Sequence, residues 1–411
     1  MKTRIALAAA ALVGLCGAAH AQDTTKIAFI DPLSGGNAAV GAISLNSFRF
    51  IAEDINAAGG VNGKKLEIVP FDNKGTPPET LTQAQKAADA GIRVFTQGSG
   101  SGVADALNEW VRNYNDHNPG KEILYLNYGA VDPVLTNAKC NFWHFRWDIG
   151  SDIRMFALTS FIKTRPDVKK VYLINQDYSF GQSVQSSARA MLKERRPDIE
   201  IVGDDLHPVG KVIDFSPYVA KIKASGADTV ITGNWGFDFS LLLKAAAEAG
   251  LQVNWYAYYA GSVGGPTAVH QTGLADHVFE IFEGSVNSAP PAAQKFETDF
   301  RAKLGVGLFY PRSVNEVRMF AAAADAVKSN DDVKAIAYKL EGMKFPTLDG
   351  GEGYMRKDDH QFIQDLFISE LGPLGPNDKF DEEHTGWGWK QIAKVDKDDT
   401  SVSTTCKMQR P

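Results

Sequence analysis

The chain alternates short apolar runs with longer stretches in which apolar residues recur every three or four positions. Lys26–Ile30 is a β-forming run closed by Asp31-Pro32-Leu33-Ser34-Gly35-Gly36, and it predicts a first strand. Ile43, Phe48, Ile51, Ala52 and Ile55 then share one face of a helix over about Ala42–Ala57, stopped by Gly59-Gly60. Lys65–Phe71 predicts a second strand, and Pro78 opens a helix over Glu79–Ala90. Strands follow from Ile92 and over Ile123–Asn127. The first 130 residues therefore read β-α-β-α-β-α-β, which means a parallel sheet with helices on both faces. The pattern restarts further on. Helices are predicted over 153–163, 180–196, 218–224 and 239–249, and strands over 171–175, 199–206, 229–232 and 253–258. The aromatic, extended stretch Cys140–Asp148 suits a strand crossing from one lobe to the other. Three helical segments between Pro291 and Leu340 exceed what the second lobe needs, so the chain is expected to return to the first. Phe362–Leu371 reads as a strand. The tail Asp381–Pro411 is polar apart from Trp387 and Trp389.

One stretch concentrates the candidate chemistry. In Gly91–Trp110 a buried strand ends near Gln97. Gly98, Gly100 and Gly102 then alternate with Ser99 and Ser101, and a helix begins with Val103, Ala106, Leu107 and Trp110 inward. The glycines let a ligand approach the backbone, and the helix start offers unpaired N–H groups to a carboxylate or phosphate. A tight turn with Ser101 as helix cap is the other reading. No Gly-Lys-Ser/Thr follows, and the glycine spacing departs from Gly-x-Gly-x-x-Gly.

The N-terminus adds a compartment. Lys2 and Arg4 precede an apolar run over Ile5–Gly17, too short to span a bilayer, and Ala19-His20-Ala21 is a cleavage signal. Residues 1–21 are expected to be a signal peptide, with the exported, soluble chain starting at Gln22. Cys16 invites lipid attachment, but Leu15 stands where a lipobox needs a small residue. Without those 21 residues the balance is 41 basic against 49 acidic, −8, with no basic block to meet nucleic acid or an anionic membrane. The 390 residues left are too many for one ordinary core. Cys140 and Cys406 remain in an oxidising compartment, where they are expected to pair; two buried free thiols are the alternative.

KIAFIDPLSG, AEDINAAGGVNGKKLEIVPFDN, GAVDPVLT at Gly129–Thr136 and DYSFG at Asp177–Gly181 together resemble the periplasmic type I solute-binding proteins. The leucine/isoleucine/valine-binding subgroup of ABC importers is the most similar. The resemblance implies an α/β fold of two Rossmann-like lobes (periplasmic binding protein type I) joined by a three-strand hinge. Lobe I is expected over 22–146 plus 286–346, and lobe II over 147–285 plus 347–411. It implies a periplasmic monomer, not embedded in the membrane, without cofactor or metal. Its partners would be a small-molecule ligand held between the lobes and an inner-membrane ABC permease.

By the same resemblance the ligand positions are Ser99, Gly100, Ser101, Tyr128, Gly129 and Ala130 in lobe I, facing Tyr178, Phe180, Trp235 and Tyr259 in lobe II. Two departures stand out. Amino-acid binders of this family place a hydroxyl residue where Val131 stands, to hold the amine. They also place an acid in the stretch occupied here by Tyr258–Ser262. Asp31, Asp177 and Asp238 are the possible substitutes. The departures and the aromatic loops favour a small carboxylate, aromatic as readily as leucine. Enzyme motifs are absent: no His-Glu-x-x-His, Cys-x-x-Cys or Gly-x-Ser-x-Gly occurs, and the histidines lack metal spacing. A Rossmann oxidoreductase is the enzymatic alternative, opposed by the export signal and the glycine pattern. A periplasmic sensor presenting its loaded state to a receptor is the other.

Overall fold

The computed structural model describes residues 24–411, so the expected signal peptide and the start at Gln22 lie outside the described residues. The first sheet is built from β1 (Thr25–Asp31), β2 (Leu66–Asp72), β3 (Val94–Gln97), β4 (Leu124–Asn127) and β5 (His144–Arg146). Its order is β2-β1-β3-β4-β5 and every pairing is parallel. Crossover helices α1 (Ala38–Ala57), α2 (Pro77–Asp89) and α3 (Ser101–His117) connect the first four strands. Parallel strands need such connections, and the apolar faces found in the sequence supply them. Phe48, Ile51, Ala52 and Ile55 of α1 are buried, as are Val103, Leu107 and Val111 of α3.

The second unit runs α4 (Ser151–Ile162), β6 (Lys170–Gln176), α5 (Ser179–Arg195), β7 (Glu200–His207), α6 (Ser216–Ser225) and β8 (Thr229–Thr232). It continues with α7 (Gly236–Glu248), β9 (Asn254–Ala257), α8 (Gly265–Thr272) and β10 (Val278–Phe282). Next come α9 (Pro291–Leu304), α10 (Pro311–Val327) and α11 (Val333–Leu340). Val317, Met319 and Phe320 of α10 and Ile336 and Leu340 of α11 enter the core of the first sheet. The return of the chain to the first lobe thus has a packing cause: these helices cover apolar surface that α1 to α3 leave open.

A small sheet follows, of β11 (Lys344–Pro346), β12 (Glu352–Met355) and β13 (Phe362–Ile363). Next, β14 (Leu366–Pro373) and β15 (Trp387–Val395) add antiparallel strands to the second sheet in the order β15-β14-β10-β9-β8-β6-β7, ahead of a short helix (Lys397–Thr400) and the tail. The expected single strand over 362–371 is broken at Gln364-Asp365, because Phe362 packs on the first core while Leu366 and Ile368 pack on the second. β15 was not expected. It is an edge strand of alternating polarity inside a polar tail. The extended stretch 140–148 also divides: His144–Arg146 completes the first sheet, and Trp147-Asp148 makes the passage between lobes.

Cys140 and Cys406 are bonded, with Cα atoms 5.7 Å apart across 266 residues. Around the bond, Thr404 Oγ1 donates to the Thr136 carbonyl at 2.8 Å and Thr405 N to Asn137 Oδ1 at 2.8 Å. The tail is thereby tied beside β5, where the chain leaves the first sheet. Replacing both cysteines with serine should destabilise the protein by about 2–4 kcal/mol, since the closed loop is long. Urea unfolding measures this; an unchanged midpoint would contradict it.

Candidate functional site

The loops at the carboxyl ends of the two sheets face one another, the usual ligand position for open α/β sheets. They line a narrow cavity between them, about 30 Å³. The first lobe lines it with Val40, Gly98, Ser99, Gly100, Ser101, Gly129, Val131 and Tyr310. The second contributes Tyr178, Phe180, Trp235 and Tyr259. Of the ten residues singled out in the sequence, eight meet here. Tyr128 and Ala130 do not: both are buried in the first core. Tyr128 donates its hydroxyl to Asp31 Oδ2 at 2.5 Å, and the Ala130 N–H is taken by Asn127 Oδ1 at 2.8 Å.

Asp31, at the end of β1, organises the glycine loop. It is fully buried, and its carboxylate accepts from Gly98 N at 3.2 Å, Ser99 N at 3.0 Å, Gln97 Nε2 at 3.3 Å and Tyr128 Oη. Burial pushes this carboxyl up to about 6, against the four hydrogen bonds that pull it down. Gly98 and Ser99 N–H are therefore spent on Asp31. What stays open to a ligand is the start of α3. Gly100 precedes it with φ of 94°, a conformation that suits glycine, and Gly98 has no room for a Cβ, which would meet Tyr128 and Gly129 at 2.8 Å. Ser101 does not cap this helix. It is the first helical residue, and its hydroxyl accepts from Asp132 N at 3.2 Å, leaving its proton to donate.

The second lobe supplies the wall. Trp235 Nε1 donates to Tyr178 Oη at 2.8 Å, which fixes both rings and leaves the Tyr178 proton free to donate. Burial holds the phenols of Tyr178, Tyr259 and Tyr310 above their ordinary values, so all three are neutral donors at neutral pH. No lining residue is charged. The three aspartates considered as amine partners are engaged elsewhere. Asp31 holds the glycine loop, Asp177 accepts from Gln182 Nε2 at 3.0 Å, and Asp238 accepts from Gln176 Nε2 at 2.7 Å and Gly210 N at 2.8 Å. Among the other strand-end aromatics, Phe237 is exposed and Tyr258 is bonded through its hydroxyl to the Ser151 carbonyl at 2.8 Å.

Sequence reasoning missed Val40, at the start of α1, and Tyr310, just ahead of α10. Tyr310 carried a signal in hindsight, an aromatic immediately before a proline that opens a helix. It also missed the cluster behind the cavity. Asp148 and Glu283 lie on the first two passages between the lobes, and Arg154 (α4) and Arg312 (α10) clamp them from opposite sides. Arg154 Nη2 reaches Asp148 at 2.5 Å and Glu283 at 3.1 Å; Arg312 reaches Asp148 at 2.9 Å and Glu283 at 2.7 Å. All four are at most 2% exposed. On the third passage, Gln361 Nε2 donates to the Asp148 carbonyl at 2.9 Å.

The family model for periplasmic binding protein matches residues 24–378. The chain belongs to this family. It is 34% identical to Leu/Ile/Val-binding protein homolog 4 of Brucella abortus, over 100% of this chain and 98% of that protein. A solved relative, the leucine-, isoleucine-, valine-, threonine- and alanine-binding protein of Brucella ovis in its closed conformation, is 32% identical with a TM-score of 0.84. The match covers 95% of this chain and 100% of that one. A solute-binding protein of an ABC transporter from R. palustris, solved with benzoate, shares the fold at 18% identity and a TM-score of 0.78, covering 94% and 100%. The family is one of periplasmic binding proteins, not of enzymes. Among the described residues no helix is long and apolar enough to cross a membrane.

Asp31→Ala should leave the Gly98 and Ser99 N–H groups and the Tyr128 hydroxyl without their acceptor, with Gln97 Nε2 left on the Ser99 carbonyl alone. We expect a loss of about 3–5 kcal/mol in urea unfolding, with faster amide exchange at Gly98 and Ser99. A loss below about 1 kcal/mol would show that Asp31 does not hold this loop.

Proposed function

We propose that this protein is the periplasmic, monomeric receptor of an ABC importer and that its ligand is a small carboxylate, aromatic or aliphatic, whose recognition needs no α-amino group. One observation carries the proposal: none of the residues lining the cavity is charged, while five are aromatic. A buried ammonium without a counter-charge costs several kcal/mol. An anion, by contrast, has the start of α3 and the hydroxyls of Ser101 and Tyr178. The rings of Trp235, Phe180, Tyr259 and Tyr310 then take the apolar part. Val131 adds apolar surface where related amino-acid binders have a hydroxyl. Closure of the lobes over the ligand would present one surface to the permease.

A second reading, an α-amino acid ligand, is favoured by the names of the full-length relatives, which are leucine-, isoleucine- and valine-binding proteins. A thermal-shift series on the full exported chain separates the two, comparing leucine, 4-methylpentanoate, benzoate and 4-hydroxybenzoate. A compound at 100 times its dissociation constant stabilises by about 2.7 kcal/mol, enough for a clear shift. We expect one of the amine-free acids to raise the melting temperature more than leucine. We also expect Trp235→Ala to weaken that binding by about 1–3 kcal/mol. A shift with leucine and none with 4-methylpentanoate would contradict the proposal.

A further inference from the structure

Among the described residues lining the cavity, Tyr259 is the one whose side chain hydrogen-bonds the buried charge cluster, while Tyr310 meets it only through its ring, 4.7 Å from Arg312. Its ring belongs to the loop after β9 in the second lobe and forms part of the wall. Its hydroxyl donates to Asp148 Oδ2 at 2.8 Å, on the first passage between lobes. The ring also lies under both guanidinium groups, 4.9 Å from Arg154 and 5.8 Å from Arg312. Arg154 starts from the second lobe, whereas Arg312 starts from the first and donates Nε to the Tyr128 carbonyl at 2.7 Å. Tyr259 therefore touches the ligand space, the hinge and the opposing lobe at once.

The cluster holds two cations and two carboxylates. Pulling any one member away would leave a buried charge unpaired, so the four should stay together as the lobes rotate. That makes the cluster a pivot, with the passages at Asp148 and Glu283 bending around it. The wall of the cavity behaves differently. It is complete only when Tyr259, Tyr310 and the glycine loop face each other across the lobes. A residue bonded to the pivot and exposed to the cavity ties those two conditions together.

We propose that Tyr259 is a positioning residue that couples closure of the lobes to completion of the cavity, through its hydroxyl on Asp148. This rests on the cavity being the ligand site. The hydroxyl bonds Asp148 when the second-lobe wall seats against the pivot and loses that bond when the wall swings away, so it favours the closed arrangement before ligand arrives. Tyr259→Phe keeps the ring and removes this bond.

The test is a distance distribution between spin labels on exposed Glu109 of α3 and Ala190 of α5, introduced as non-natural amino acids so that Cys140–Cys406 is untouched. With no compound added, Tyr259→Phe should raise the open-to-closed ratio by about 10-fold, the size expected for a lost hydrogen bond to a charged group. Tyr259→Leu should shift the distribution in the same direction. Trp235→Ala, which thins the wall but leaves the pivot bonded, should not move it. Distributions of Tyr259→Phe and Tyr259→Leu that superimpose on the wild type would overturn the proposal. So would an equal shift in Trp235→Ala. The functional reading fails separately: if none of benzoate, 4-hydroxybenzoate and 4-methylpentanoate closes the wild-type distribution, the assigned ligand class is wrong while the Tyr259 shift still stands or falls by itself.

Discussion

Two arginines and two carboxylates, all cut off from water, sit where the chain passes between its lobes. Each pair attracts strongly in a dry environment, but removing one partner would strand its counter-charge. The arrangement is tolerable only if Asp148, Glu283, Arg154 and Arg312 are always assembled. Their assembly in turn dictates that α4, α10 and the passages between the lobes meet at one point. The loops that face each other across the cavity meet in front of that point. A hydrophobic plug of the same volume would serve stability as well. It would not direct two lobes to one axis.

The cavity in front of this point is built by a different economy of polar groups. Asp31 absorbs the N–H groups of Gly98 and Ser99, so the loop is rigid before any ligand arrives. The start of α3 is left as the unsatisfied end of a helix, and Ser101 and Tyr178 keep protons to give. Everything else facing the space is apolar or a neutral phenol. This is the arrangement behind the proposal of an anion at one end and a ring or branched chain at the other. It holds no carboxylate to pair with a second, positive group.

Much of the fold was legible because parallel α/β sheets write themselves plainly. Buried strands such as Val94–Gln97 and Thr229–Thr232 are continuous β-forming runs, and the helices between them show one apolar face. What escaped was structure whose cause lies far away in the chain. Trp387–Val395 becomes a strand because Leu366–Pro373 offers it an open edge, not because of its own polar composition. Gln364-Asp365 interrupts a strand because the residues on either side serve different cores. The site was partly legible for a similar reason. Strand-end loops such as Gly98–Ser101 and Gly233–Trp235 announce themselves, so eight of the ten residues named from the sequence line the cavity. Tyr128 and Ala130 sit in the right loop but point into the core, which periodicity does not reveal over two residues. Arg154 and Arg312 escaped because nothing local in the sequence records that their carboxylate partners lie on passages between lobes.

The central claim is that a charge-free, aromatic cavity holds a carboxylate without reading an amine. A crystal structure of the protein grown with the acid that most raises its melting temperature tests this directly. The account predicts the carboxylate at Ser101 and the start of α3, the apolar part between Trp235 and Tyr259, and no acidic side chain within hydrogen-bond distance of the ligand. A ligand ammonium bonded to an aspartate or glutamate would contradict it.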